Sequence, residues 1–136
     1  MKFPKPPKKV KLGTLKRKAD TAFSRSLRSI INYCQAFGKV KCKCGGPLQL
    51  AHIEGRANHT LRFDPMAVLV LCAGHHRFFH SRPMVFIEFL LENYKSQFDY
   101  VMNNKNRITK MKAEDYQDII DFYTQQHEQY ESQSTL

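Results

Sequence analysis

The fold is decided by residues 42–80, which read CKCGGPLQLAHIEGRANHTLRFDPMAVLVLCAGHHRFFH. Cysteine, histidine and glycine are frequent in this segment, and Pro47 and Pro65 interrupt its apolar runs. Glycines and prolines at these positions favour hairpins and loops over a long helix. The run from Leu48 to Ile53 and the run VLVLC that ends at Cys72 are typical of short strands.

The cysteines of this segment have the spacing of metal ligands. Thiolates at Cys42, Cys44 and Cys72 with the imidazole of His75 would complete a closed, tetrahedral structural zinc site. Two glycines follow the first pair and allow the tight turn that a zinc knuckle needs. The alternative is that these residues are free cysteines in a small core. Cys34 is assigned to that alternative, because it continues a helical apolar pattern.

The histidines of the segment predict a second, catalytic site. His76 and His80 are spaced i and i+4, so on a helix both imidazoles project from one face and can bind one divalent cation. His75 points elsewhere on that helix. His52 ends a strand-like run, where a neutral imidazole could take a proton from water during phosphodiester hydrolysis. The alternatives are a core role for His52 and a surface role for His80.

The flanking sequence predicts one α+β domain between two tails. Residues 1–13 hold three prolines and five lysines and are expected to form a disordered basic arm. Apolar residues at helical spacing predict a helix over 14–37, closed by Gly38, then a buried helix after Pro83 and a last helix from about Ala113. The domain is expected over 14–128 with its core in 39–82, and residues 129–136 are expected to form a flexible tail.

Charge indicates the partner. The chain has 136 residues with 22 Lys and Arg against 12 Asp and Glu, a formal net charge of +10. A field of that sign attracts polyanions, so DNA is the expected partner, although a ribosome-associated protein would have similar charge. No apolar segment predicts a signal peptide or a membrane span, so a cytoplasmic protein is expected, with its oligomeric state left open. The residues expected to contact phosphates are Lys16, Arg17, Arg25, Arg28, Arg56, Arg62 and Arg77.

The segment from Cys42 to His80 resembles HNH endonucleases of the ββα-metal superfamily, especially phage recombination nucleases. Its knuckle, LQLAHI strand and RFDP run are similar to the NinG/Rap group, and its closing Cys-x-x-His-His-x-x-x-His is similar to the Ref nuclease. The resemblance implies a zinc-stabilised ββα-metal core flanked by one N-terminal and two C-terminal helices. It implies His52 as general base, His76 as a catalytic metal-binding histidine and His80 as a further ligand, with Cys42, Cys44, Cys72 and His75 on structural zinc.

The implied activity is metal-dependent DNA cleavage, in phage or prophage recombination or processing within a bacterial or phage-infected cell. Mg²⁺, Mn²⁺, Ni²⁺ or Zn²⁺ would suit the catalytic ligands. Two positions depart from the family: Ala51 stands where many relatives have Asp or His, and Met66 or Ala67 where they have Asn. Substitutes within reach are Glu54, Asn58, His59 and Asp64, the last also a turn residue before Pro65. The departures leave two other interpretations open, a zinc-stabilised nucleic-acid-binding module without activity and a zinc protein that docks to other proteins.

Overall fold

The computed structural model describes residues 2–55, 59–107 and 109–134, and there the chain is α+β, as predicted. A two-stranded sheet is accompanied by five helices in the described part. No helix among these residues is both long enough and apolar enough to cross a bilayer. The elements are α1 (Leu12–Ile30), β1 (Leu48–His52), β2 (Val68–Cys72), α2 (Ala73–His80), α3 (Pro83–Asn93), α4 (Lys95–Asn104) and α5 (Ala113–Ser134).

The sheet and the helix that follows it form the centre of the molecule. β1 and β2 are antiparallel, with Leu48 opposite Cys72 and His52 opposite Val68. Every residue of β2 is buried, which explains its unbroken apolar sequence. α2 begins directly after β2, and the Cys72 side chain caps it by accepting a hydrogen bond from the His75 amide. The central elements therefore follow one another in the order strand, strand, helix.

The first and last helices form a second layer. α1 buries Leu15, Ala19, Phe23 and Leu27, which recur at helical spacing as the sequence predicted. Phe23 meets Tyr123 of α5 edge to face, with ring centroids 4.9 Å apart. Phe23 and Leu27 also share a cluster with Val68 of β2. This packing holds the exposed face of α1 beside β1.

α1 is shorter than predicted, because it ends at Ile30 instead of continuing to Phe37. The chain then runs along the outer edge of β2. The Gln35 amide donates to the Val70 carbonyl at 2.8 Å, and the Val70 amide donates to Gln35 Oε1 at 2.7 Å. Backbone groups of a buried strand need partners, and these two bonds supply them. Long-range pairing thus overrides the helical pattern of residues 31–37.

The apolar run after Pro83 is two helices where the sequence predicted one. The break falls at Tyr94, whose φ of −138° is not helical. The Tyr94 hydroxyl donates to the Gln35 carbonyl at 2.8 Å, and the side-chain amide of Asn93 donates to the Phe89 carbonyl at 3.0 Å. A tertiary contact therefore sets this break, and no proline or glycine marks it.

The ends of the chain also differ from expectation. Residues 2–11 contain no helix or strand and are exposed, but 12 and 13 already belong to α1. At the other end α5 continues to Ser134, so most of the segment expected as a flexible tail is helical.

Candidate metal centre and histidine cleft

Four side chains converge on one point beside the sheet, and we call them the metal centre: Cys34, Cys44, Cys72 and His75. Their three sulfur atoms and one ring nitrogen all lie within 4.8 Å of one another. His75 Nδ1 is 3.3 Å from Cys34 Sγ, 3.2 Å from Cys44 Sγ and 3.3 Å from Cys72 Sγ. Tetrahedral zinc with ordinary bond lengths separates nitrogen from sulfur by about 3.5 Å. The donor set and its spacing therefore fit a structural metal ion.

Separate parts of the chain deliver these ligands. Cys34 is held by the pairing of its neighbour Gln35 with β2, and Cys72 ends that strand. Cys44 lies in the loop before β1, which packs on the start of α2. Gly46 makes that packing possible: its φ is +83°, and a Cβ there would approach the Ala73 Cβ to 2.9 Å.

The ring of His75 has the orientation of a metal ligand. The side chain is buried, with 1% of its surface exposed. Its Nε2 lies 2.7 Å from the Cys42 carbonyl oxygen, which can only accept, so Nε2 carries the proton. The lone pair is then on Nδ1, which faces the three sulfurs. A backbone carbonyl that fixes the tautomer of a ligating histidine is the usual outer-shell arrangement.

The thiols of the centre differ in acidity. Burial opposes ionisation of Cys72, but the amides of His75 and Gly45, each 3.4 Å from its sulfur, help to lower its pKa to about 6. Burial and the neighbouring thiols Cys34 and Cys72 raise the pKa of Cys44 to about 12. Close thiolates repel one another, so a bound cation would favour the ionised form of the whole group.

Cys42 is corrected by this geometry. The sequence grouped Cys42, Cys44, Cys72 and His75, and the structure brings together the last three with Cys34 in the fourth place. The Cys42 sulfur faces the Lys43 carbonyl at 3.7 Å instead. A single residue between Cys42 and Cys44 leaves the two side chains on a constrained loop. Cys34, which the sequence placed in a helix, comes to the centre because α1 ends early.

A cleft of about 380 Å³ is lined by residues of β1, α2 and α3, and we call it the histidine cleft. His52 from the end of β1 and His76 and His80 from α2 line it, together with Glu54. Ala51 and Phe79 contribute apolar lining. Three histidines that the sequence singled out thus share one depression, while His75 is turned toward the metal centre.

Hydrogen bonds fix how two of these rings are protonated. His52 Nε2 lies 2.9 Å from the Arg62 carbonyl oxygen, so it donates, and the neutral ring has its basic lone pair on Nδ1. His76 Nδ1 lies 2.8 Å from Gln49 Oε1, which places the basic lone pair of that ring on Nε2. Burial and the charge of His80 lower the pKa of His76 below its usual value. Both effects favour the neutral form of the His76 ring.

The histidine cleft is not a preassembled cation site. Throughout the described residues, the metal centre is the one place where three or more such ligand atoms lie within 4.8 Å of one another. Ala51 offers no ligand. Asp64 is occupied as a turn residue, since it accepts from the Met66 amide at 2.9 Å and from the Tyr100 hydroxyl. Asn58 lies outside the described residues. Among the described residues, His76 and His80 thus belong to no group of three His, Cys, Asp or Glu ligand atoms.

The basic side chains fall into different environments. Arg17, Arg25 and Arg77 are exposed, and Lys16 and Arg28 are partly exposed. Arg62 is corrected as a phosphate contact: it is 6% exposed, and its guanidinium makes a bidentate ion pair with Asp20 at 2.8 and 2.5 Å. Arg56 lies outside the described residues.

No protein-family model, curated protein or solved structure matches this chain.

Proposed function

We propose that this chain is a metal-dependent DNA endonuclease of the HNH, or ββα-metal, type. One observation carries the proposal: His52 from a strand and His76 and His80 from the following helix line a single cleft. The order strand, strand, helix is the order of that superfamily's core. The neighbouring metal centre supports the proposal further, because a bound metal ion would stabilise a small core that contains a long loop.

His52 is the proposed general base. The Arg62 carbonyl holds the proton on Nε2, so Nδ1 is the atom that accepts a proton from the attacking water. In the HNH family, the backbone of the middle asparagine orients the base. In this chain the Arg62 carbonyl would have that role. The base can therefore be oriented even though Met66 or Ala67 stands at the position of that asparagine.

Two cations have separate roles in the proposal. Zinc in the metal centre is structural, since four protein ligands leave no open position. A divalent cation in the histidine cleft would stabilise negative charge on the phosphate when bound, with Mg²⁺, Mn²⁺, Ni²⁺ or Zn²⁺ as candidates. His76 and His80 are its proposed protein ligands. Water and phosphate oxygens would complete the coordination. The phage recombination or DNA-processing setting rests on the family resemblance.

A binding module without catalysis is the second candidate. Ala51 lines the cleft where relatives carry a ligand, and no third ligand atom lies near His76 and His80 in the described part. Such a module would keep the metal centre and the basic surface but lose the chemistry. It predicts salt-sensitive DNA binding with no cleavage.

Plasmid cleavage separates the two candidates. Protein loaded with one equivalent of zinc is mixed with supercoiled plasmid in cation-free buffer, and Mg²⁺, Mn²⁺, Ni²⁺ or further Zn²⁺ is then added. No chelator is used, so the metal centre stays filled, and zinc content is measured throughout. The test variant is His52→Ala. The control is Gln117→Ala, on the exposed side of α5 and hydrogen-bonded to Asp121.

Cleavage that needs both an added cation and His52, with the control variant active, supports the nuclease. The loss expected for His52→Ala is at least about a hundredfold in rate. Cleavage that persists in His52→Ala contradicts the assignment of the base. DNA binding without cleavage of plasmid, branched or single-stranded DNA supports the binding module.

A further inference from the structure

Two grooves run along the sides of α1 and meet at one residue. The first lies between α1 and α5, has a volume of about 500 Å³ and is lined by Arg17, Lys18 and Arg25. The second lies between α1 and β1, has a volume of about 600 Å³ and is lined by Arg28. Thr21 lines both grooves. They are therefore adjacent depressions on one surface.

The second groove leads to the histidine cleft. His52 and His76 line the groove between α1 and β1, and the same two residues line the cleft. Each depression thus shares at least one lining residue with the next. Arg17 and Arg28 are eleven residues apart on α1, a distance of roughly 16 Å along the helix.

The charge along this path is largely uncompensated. Arg17, Lys18 and Arg25 are exposed, and Glu128 is the acidic residue that lines their groove. Asp20 lines the second groove, but it is ion-paired with the buried Arg62. Arg28 is held beside that groove, because its Nε donates to the Ser24 carbonyl at 3.2 Å and to Ser24 Oγ at 3.0 Å.

We propose that α1 and its two grooves form one track for the phosphate backbone of duplex DNA, which ends at the histidine cleft. The lining favours backbone contacts over base contacts. Phe23 is the one Phe or Tyr that lines either groove among the described residues, and it is 1% exposed. Proteins that track single strands stack bases on exposed aromatic rings, and no exposed Phe or Tyr among the described residues lines either groove. Guanidinium, ammonium and hydroxyl groups bind phosphates without reading sequence.

That the track leads to a catalytic site rests on the proposed nuclease function. DNA binding is therefore measured separately from DNA cleavage. Anisotropy of a short fluorescent duplex is recorded in cation-free buffer over a range of salt concentrations, with zinc-loaded protein. The test variant is Arg17→Gln/Arg25→Gln. The matched control is Lys95→Gln/Lys110→Gln, which removes the same charge from exposed positions away from both grooves. The same DNA as a single strand is the competing ligand.

The track predicts at least about a tenfold rise in Kd for the test variant, and a salt slope that is smaller by about 2, the loss of two phosphate contacts. The control should change Kd by less than about twofold. Equal weakening of duplex binding by the two variants would overturn the track, because it would mean that the net charge alone attracts DNA. Tighter binding of the single strand would overturn the duplex assignment.

The two proposals fail differently. If wild type cuts plasmid but the test variant binds duplex normally, the track is wrong and the nuclease stands. If the variant loses binding as expected but wild type never cuts any DNA, the track stands and the nuclease is wrong.

Discussion

Cys34 and Cys42 differ in a way that a metal titration can measure. Cys34 Sγ lies 3.3 Å from His75 Nδ1, whereas Cys42 contributes its backbone carbonyl to the other nitrogen of the same ring. Cys34→Ser should weaken zinc binding by at least about a hundredfold and lower Tm, because it removes a direct ligand. Cys42→Ser is the control and should bind zinc as wild type, since its carbonyl is unchanged. If Cys42→Ser weakens zinc binding more than Cys34→Ser does, Cys42 rather than Cys34 is the fourth ligand.

Gln49 is predicted to set the tautomer of His76. Its Oε1 is 2.8 Å from His76 Nδ1, so the proton is held there and Nε2 keeps its lone pair. Gln49→Leu removes the acceptor and should populate both tautomers, which the ring ¹⁵N shifts of His76 report at a pH where the ring is neutral. Gln49→Glu keeps an acceptor and should restore the wild-type spectrum, and Gln117→Leu on α5 should not alter it. Unchanged His76 shifts in Gln49→Leu would exclude Gln49 from this role.

Sequence reasoning found three of the four residues of the metal centre. Cys44, Cys72 and His75 could be predicted because the knuckle glycines and the Cys-x-x-His spacing are local signals. Cys34 could not, since it reaches the centre through the pairing of Gln35 with Val70, which joins residues 35 positions apart. Arg62 was misassigned for the same reason, because its partner Asp20 lies 42 positions away. Short motifs therefore reveal the ligands that they contain, but not a ligand such as Cys34 that lies outside them.

At the scale of elements, a partly buried ion pair ties α1 to the segment before β2. The side chains of Arg62 and Asp20 are 8% and 23% exposed, whereas those of Lys95 and Asp99 on α4 are 67% and 49% exposed. Asp20→Ala leaves a buried guanidinium without its carboxylate and should lower the free energy of unfolding by about 3 kcal/mol. Asp99→Ala is the exposed control and should cost less than about 1 kcal/mol. Urea unfolding measures both, and equal small effects would mean that the pair is not a buried constraint.

The helices and strands followed from periodicity, but their ends did not. The apolar face of α1, the unbroken run of β2 and the last helix were all predictable, because burial imposes a period on the sequence. The end of α1 at Ile30 and the break at Tyr94 both serve contacts of Gln35. A residue that pairs with a distant strand edge leaves no periodic signal. Fold class was therefore readable from sequence, and the junctions that build the site were not.

At the scale of the molecule, the core of the described residues is divided among four clusters. One surrounds the metal centre and contains Cys34 and Cys72 with Leu71, Phe79 and Phe89. Two others lie between α1 and α5 and include Phe23 with Tyr123 and Leu15 with Tyr116. The proposed metal ligands come to the first cluster from separate chain segments, whereas α1 and α5 are joined by side-chain packing and by hydrogen bonds such as that from Ser26 to Gln126. Metal removal should therefore affect the two regions unequally.

Hydrogen exchange on zinc-loaded and zinc-free protein tests this division. Without the ion, three close thiols lose the cation that joins them, so residues 34–46, β2 and α2 should open more readily. Amides of β2 and α2 should exchange at least about tenfold faster in the zinc-free form, and amides in the middle of α1 and α5 should change by less than about threefold. Cys34→Ser should reproduce the zinc-free pattern at any zinc concentration that leaves its weakened site empty. Equal acceleration in all helices would instead mean that the protein unfolds as one unit when zinc leaves. No acceleration anywhere would show that the metal centre contributes nothing to the fold.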